Sequence, residues 1–417
     1  MASEWRDMTL GDVMTLQRGF DLPKTKRKPG NYPVIASTGP VGTHEEAMVT
    51  GPGVVIGRSG SLGGGQFIKH DFWPLNTTLW VKDFKGNEPR FCYFLLKSLD
   101  LTQFNAGSGV PTLNRNHIHL LPVAIPSPSQ QRAIVHILGT LDDKIELNNQ
   151  MNSTLKAITQ ALFRSWFVNF DPIRAKIEGR WRPGESLPSL PANLWDLFPD
   201  NLVDSELGKI PDGWKPTLLG KELAELVSGS RPKGGAVKSG IPSIGAENVI
   251  GLGHYDFSKE KYIPIEFFEK LKTKGANLRH GDVLLYKDGA KIGRKTYFDQ
   301  GFPHSQCAVN EHVFILRMEK PELQRYLFFW LDQPWITQEI ISLNSNSAQP
   351  GINQVGVRSI PFLLPNLDLV SEFDKKIVQL IHRLFTNCLE SRQLATMRDT
   401  LLPRLVSGEL SVNSSRI

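Results

Sequence analysis

A helix-forming stretch occurs twice in this chain, 239 positions apart, and that repetition limits the possible folds more than any single motif does. Within Gln130 to Trp166, apolar residues fall at Ile134, Leu138, Leu141, Ile145, Leu155, Ile158, Leu162 and Trp166, in steps of mostly three and four. That is the stripe of a coiled-coil seam. Two seam positions, Asn148 and Asn152, are polar instead. Adding 239 gives Phe373, Ile377, Leu380, Leu384, Asn387, Ser391, Leu394, Met397 and Leu401, the same stripe with its polar interruption in place.

The repetition continues upstream. Val110-Pro111-Thr112-Leu113-Asn114 and Ile118, Leu121, Pro122, Ile125, Pro126 match Gln349-Pro350-Gly351-Ile352-Asn353 and Val357, Ile360, Pro361, Leu364, Pro365. Trp5 with Thr9-Leu10-Gly11 resembles Trp214 with Leu218-Leu219-Gly220 at an offset of 209, so the second copy carries about thirty additional residues before its helix. The order is globular domain, long helix, linker, globular domain, long helix. Expected boundaries are 1–128, 129–168, 169–210, 211–367 and 368–410. The expected class is α+β, with two α/β domains alternating with the two helices.

At 417 residues the chain exceeds one ordinary core, and two domains of this size fit the usual range. No apolar run approaches the roughly 18 residues that span a bilayer. The start, MASEWRDMTL, has neither the basic head nor the apolar centre of a signal peptide. Three cysteines (Cys92, Cys307, Cys388), widely spaced and without C-x-x-C, point to buried thiols in a reducing compartment. A cytoplasmic protein without a membrane partner is therefore expected. Net charge is +6, and each globular domain carries only about +3. Blanket coating of nucleic acid would need more, whereas one basic face can serve a specific site.

Trp5 to Phe20 has helical spacing and is expected to form a short helix. Lys24, Lys26, Arg27 and Lys28 form a cationic loop before a Pro-Gly turn, suited to following a phosphate backbone. Short strands follow at Tyr32–Ser37, Gly53–Gly57, Gly65–Lys69 and Thr77–Val81, with a glycine-dense turn bearing Arg58, Ser59 and Ser61. Its counterpart carries Lys287, Asp288, Lys291 and Arg294, and the counterpart of the cationic loop carries Arg231 and Lys233. Strands are expected at Val283–Tyr286, Lys295–Phe298 and His312–Arg317, and apolar helices at Phe91–Leu99, Tyr326–Leu331 and Ile336–Ile341. Small polar loops, Asn105–Gly109 and Asn344–Ala348, precede the Pro-x-x-Asn segments; Asn and Ser there suit either turns or base edges. His117 and His119 fall on a strand-like stretch and read as packing residues. Asp142 and Asp143 read as solvating the helix exterior. The prolines at 172, 183, 188 and 191 make the linker extended, with one helical turn or two.

Catalytic constellations are missing. H-E-x-x-H, G-x-S-x-G, paired-His spacing and G-x-x-x-x-G-K-[ST] are all absent, as are a glycine-rich S-adenosylmethionine loop and an Asn/Asp-Pro-Pro-Tyr/Phe tetrapeptide. A binding module is the better reading, with no metal site. The rival classes are a protein-only scaffold and a self-contained DNA-modifying enzyme.

Two variable domains alternating with repeated helices, the Pro-x-x-Asn segments and the run QQRAIVHILGTLDDKIELNNQMNSTLKAITQALFRSWFVNFDP resemble the specificity subunit of type I restriction-modification systems over nearly the whole chain. The resemblance implies that each globular domain is a target recognition domain reading one half of a split double-stranded DNA site. It implies that the helices pair as an antiparallel coiled coil acting as spacer and scaffold. Two methyltransferase and two restriction (translocase) subunits would dock, bringing S-adenosylmethionine, ATP and Mg, none of which this chain would bind. Base-reading residues vary within the family, so no motif transfers them. Asn148 and Asn387 are expected to fix the register of the helix pair, meeting each other only if the helices cross near their middles.

Overall fold

The computed structural model describes residues 5–343 and 351–412; the polar loop expected at Asn344–Ala348 lies outside the described residues, as do Gln349 and Pro350. Contacts divide the chain into unit 1, Met1–Glu146 with Arg392–Ile417, and unit 2, Leu147–Ser391. The division falls inside both long helices, so each unit contains a globular part and portions of both.

Unit 1 begins with β1 (Arg6–Thr9), α1 (Leu10–Val13) and β2 (Thr15–Arg18), followed by β3 (Tyr32–Ala36), β4 (Gly39–His44), β5 (Gly53–Gly57) and β6 (Gly63–Ile68). Next come β7 (Trp73–Pro74), β8 (Thr78–Asp83), α2 (Pro89–Ser98), α3 (Arg115–His119), β9 (Pro122–Ile125) and the long helix α4 (Pro128–Phe167), which continues into unit 2. The Trp5–Phe20 run is therefore strand, single turn, strand, and not one helix. Thr9 and Asp12 close a capping box that starts α1, and the extended backbone of Met14 ends it after four residues. Leu10, Val13, Met14 and Leu16 still all face the core, which is why their spacing suggests a helix. His117 and His119 lie on α3, not on a strand. Burial holds the His119 imidazole pKa below its usual value, and its Nε2 accepts the Leu16 N–H at 2.9 Å.

Unit 2 adds α5 (Asp171–Ile177), the hairpin β10 (Leu202–Ser205) and β11 (Gly208–Pro211), then β12 (Lys215–Leu218), β13 (Leu223–Ser228), β14 (Ile241–Ile244) and β15 (Tyr262–Ile263). After α6 (Ile265–Lys272) come β16 (Val283–Tyr286), β17 (Lys295–Tyr297), β18 (Ala308–Val309), β19 (Val313–Met318), α7 (Leu323–Leu331) and α8 (Pro334–Ser342). The unit ends with α9 (Gln354–Arg358), β20 (Pro361–Leu364) and the start of α10 (Leu367–Val406).

The duplication extends to strand register. β1 pairs with β9 from Arg6↔Ile125 to Thr9↔Pro122, and β12 pairs with β20 from Lys215↔Leu364 to Leu218↔Pro361, the same offsets of 209 and 239. The four-stranded sheets have orders β2-β8-β5-β6 and β13-β19-β16-β17; the three-stranded ones are β4-β3-β7 and β15-β14-β18. Among named strands of the described residues, only β3·β7 and β14·β18 are parallel. Each globular part is thus a mixed, mainly antiparallel α+β assembly, without the alternating parallel units of an α/β domain.

In unit 1, sheet residues Val54, Ile56, Leu79 and Val81 pack with Phe91 and Phe94 of α2, Ile134 and Leu138 of α4, and Leu402, Leu405 and Val406 of α10. Asp142 accepts from Arg398 Nη1 at 2.8 Å, and Asp143 accepts from Arg90 at 2.8 and 3.1 Å and from Lys69 at 3.1 Å. These carboxylates tie the helix to its neighbours; the expectation that they only solvate it does not hold, because basic partners distant in sequence reach them. In unit 2, α4 and the first part of α10 run antiparallel: Phe163 meets Phe373 with ring centroids 5.8 Å apart, and Asn387 Nδ2 donates to Asn152 Oδ1 at 2.9 Å.

The helical turns expected in the 169–210 segment are α5, but the rest of the segment is packed and not extended. Trp181, Leu190, Leu194, Phe198 and Ile210 join the core that holds Trp166, Phe167 and Phe373. Enough apolar area sits between the prolines to offset the ordering of this segment. All three cysteines are free and buried. Burial pushes the Cys92 and Cys388 thiols up to about 12 and raises that of Cys307 as well, so thiolate chemistry is suppressed. No described helix is long and apolar enough to cross a membrane.

Candidate nucleic-acid interface

The repeated Pro-x-x-Asn segment has a structural task. Asn114 Oδ1 accepts the Asn116 N–H at 3.0 Å and caps α3; Asn353 Oδ1 accepts the Gly356 N–H at 2.9 Å and caps α9. The residues just before each Asn dock on the glycine-dense turn. In unit 1, Leu113 N donates to Arg58 O at 2.8 Å, Gly60 N donates to Pro111 O at 2.9 Å, and Arg58 N donates to Thr77 O at 2.8 Å. In unit 2, Ile352 N donates to Lys287 O at 2.9 Å and Lys287 N donates to His312 O at 3.1 Å. Gly60 and Gly289, with φ of 83° and 68°, let the chain turn away directly after each bridge. One backbone cradle, held on both sides, therefore carries different side chains in the two units.

In unit 1 the cradle opens into a pocket of about 490 Å³ lined by Arg18, Arg58, Arg115, Thr112 and Asn114, with Leu79 and Leu113 as its apolar floor. Arg58 Nη1 donates to Asn76 O at 3.3 Å. Ser59 is half-buried, bridged to Thr112, and Ser61 is exposed. Lys24 and Lys26 stand exposed on a single 3-10 turn. Their neighbours are partly engaged: Arg27 Nη1 donates to Val41 O at 3.3 Å, and Lys28 Nζ pairs with Glu45 Oε1 at 2.6 Å. The cationic loop is thus two exposed lysines beside two partnered residues.

In unit 2 the side chains partner one another. Asp288 Oδ2 lies 2.8 Å from His312 Nδ1, His312 Nε2 lies 3.2 Å from Glu311 Oε1, and that oxygen takes Arg231 Nη2 at 2.6 Å. Lys287 Nζ sits 4.7 Å from the Phe314 ring centroid. Lys233 and Lys291 are exposed, while Arg294 is half-buried beside Tyr286, whose N–H its carbonyl accepts at 2.7 Å. Arg231, Lys261, Ser243 and Asn310 line a smaller pocket of about 160 Å³. Arg231, Lys287 and Asp288 are thus brought onto one connected surface. Arg18, Arg115, Glu311 and His312 escape sequence reasoning, although Arg115 directly follows the matched Asn and could have been found there.

Asn148 and Asn387 are both fully buried. They do not bond each other. Asn148 Nδ2 donates to Glu390 Oε2 at 2.8 Å and to Ser391 Oγ at 3.2 Å, while Asn387 reaches Asn152. Ser391 and Asn152 are themselves the matched second polar positions of the two stripes, so each Asn meets the other copy's second polar residue.

The family profile for the type I restriction modification DNA specificity domain matches residues 2–157 and 211–396, once over each copy. The chain is 25% identical to the type I restriction enzyme HindI specificity subunit of Haemophilus influenzae, over 98% of this chain and 100% of that one. It is 21% identical to the EcoDI specificity subunit of Escherichia coli, over 98% of this chain and 89% of that one. In fold it is similar to the crystal structure of the type I restriction-modification S subunit from M. genitalium, with a TM-score of 0.58, 15% identity, and coverage of 97% and 96%. Two profile matches that coincide with the two structural copies decide the assignment: this chain belongs to the type I restriction-modification DNA specificity family.

Proposed function

We propose that this chain is the DNA sequence-specificity subunit of a type I restriction-modification complex and has no catalytic activity of its own. Each globular part reads one half of a bipartite double-stranded DNA target. The observation that carries this is the repeated cradle: the same backbone bonds present Arg58 and Arg115 in one copy and Lys287 and Gln354 in the other. A shared scaffold with different polar side chains is what two unlike half-sites require. Lys24, Lys26 and Lys233, exposed on loops, serve as phosphate contacts.

In this proposal α4 and α10, at 40 residues each, pair as an antiparallel coiled coil that sets the distance between half-sites. A helix of that length spans roughly 60 Å, more than the roughly 34 Å of one DNA turn. The pair also provides docking faces for two methyltransferase and two restriction subunits, which bring S-adenosylmethionine, ATP and Mg to a cytoplasmic assembly. Methylome sequencing of a host expressing this chain with its methyltransferase, against the methyltransferase alone, tests the reading. A split motif that appears only with this chain is expected; an assembled complex that yields no new motif would refute it.

Register belongs to the same proposal. The buried amide oxygens of Asn148 and Asn387 accept no hydrogen bond among the described residues, so these side chains favour one pairing at some cost in stability. Asn148→Leu with Asn387→Leu is expected to raise the melting temperature while broadening the spacer lengths methylated. A sharper melting transition with the spacer unchanged would remove the register role.

A further inference from the structure

We propose that the unit 1 pocket formed by Arg18, Arg58 and Arg115 is a guanine-reading subsite, an inference that rests on the DNA-recognition function above. Three arginines line it and, among its lining residues, there is no carboxylate. Their internal commitments are slight: Arg58 reaches Asn76 O at 3.3 Å, Arg18 reaches Asp21 at 3.4 and 3.5 Å, and Arg115 is exposed. A wall made of donor forks with few internal partners selects an edge made of acceptors. In the major groove that edge is guanine, whose O6 and N7 accept two parallel hydrogen bonds from one arginine.

The pocket is also built in advance. Arg58 is clamped through both its N–H and its carbonyl, and Arg115 is the first residue of α3, directly after the capping Asn114. Leu79 and Leu113, each 1% exposed, give an apolar floor. The equivalent place in unit 2 lacks this character. Lys287 is drawn onto Phe314, and Gln354 stands where Arg115 does, offering an amide that donates and accepts. The subsite therefore belongs to one half-site only.

The test is the methylome of the assembled complex carrying Arg115→Gln or Arg115→Lys beside the unaltered chain. Position 115 is exposed, and the half-site read by unit 2 reports folding and assembly in the same experiment. One G·C position in one half-site is expected to become degenerate, with discrimination there falling roughly 5- to 150-fold, while the other half-site stays intact. Lysine keeps the charge but not the fork, so it should fail as glutamine does. An unchanged motif, or degeneracy at an A·T position, would overturn the inference. So would uniform weakening that lysine repairs, which is the behaviour of a phosphate contact. A wild-type complex that yields no new motif would instead refute the DNA-recognition function itself.

Discussion

Arg317→Ala is expected to destabilise unit 2 by about 3 to 5 kcal/mol, because it strands a buried carboxylate. Arg317 lies on β19 with its side chain almost wholly enclosed. Its Nε and Nη2 each donate to Asp282 at 2.7 Å, and Nη1 donates to Glu225 at 2.6 Å. Its remaining donors reach the carbonyls of Gly275 and Asn277, both at 2.9 Å. All five guanidinium donors are thus used. Asp282 is 2% exposed, and without the arginine its only remaining partner in this set is the Arg279 N–H at 2.8 Å. Thermal unfolding should show a fall of roughly 6 to 20 °C for a unit of this size. Removing both charges, as Arg317→Met with Asp282→Leu, should recover much of the loss, since ion pairs of this kind are replaceable by apolar groups. A single variant that melts with the wild type would show that the pair contributes nothing.

Trp181→Ala is the second large effect. Trp181 is fully buried, its Nε1 donates to Glu185 O at 2.9 Å, and its ring lies 5.0 Å from Trp195 and 6.0 Å from Phe198. Phe198 in turn meets Trp166 of α4 at 5.2 Å, so the segment is anchored to the long helix through this aromatic chain. Truncation should cost about 3 to 5 kcal/mol. Limited proteolysis gives the more specific reading: cleavage between residues 178 and 200 should become fast in the variant and stay slow in the unaltered chain. Equal, rapid cleavage of both would mean that the segment behaves as an open linker.

These two sites mark where reading the sequence stops. The duplication and the two 40-residue helices are legible because periodic burial repeats at a fixed offset, and the strands β3, β5, β6, β8, β16, β17 and β19 are legible between their Gly and Pro breaks. The 169–210 segment is not, since its aromatic residues follow no period and its prolines resemble those of an extended chain. Trp5–Phe20 misleads for the opposite reason: core-facing residues on a strand, a turn and a second strand reproduce helical spacing. In the candidate site, the cations of the glycine-dense turns are visible by residue type. Their environment is not. Nothing local indicates that Lys28 is engaged by Glu45, that Asp288 reaches His312, or that Arg18 and Arg115, 97 positions apart, line one pocket.

The allocation of residues to units bears on biosynthesis. Unit 2 is one continuous stretch, whereas the core of unit 1 needs Leu402, Leu405 and Val406 from the far end of α10. About 245 residues separate the two pieces of unit 1. At ~5–20 residues per second, a ribosome takes on the order of 10 to 50 seconds to add them. Through that interval unit 2 can complete itself while Ile134 and Leu138 lack their partners on α10, an exposed apolar edge in the nascent chain. The half of the protein made first is therefore the half that finishes last, and its yield should depend on chaperone supply more than that of unit 2.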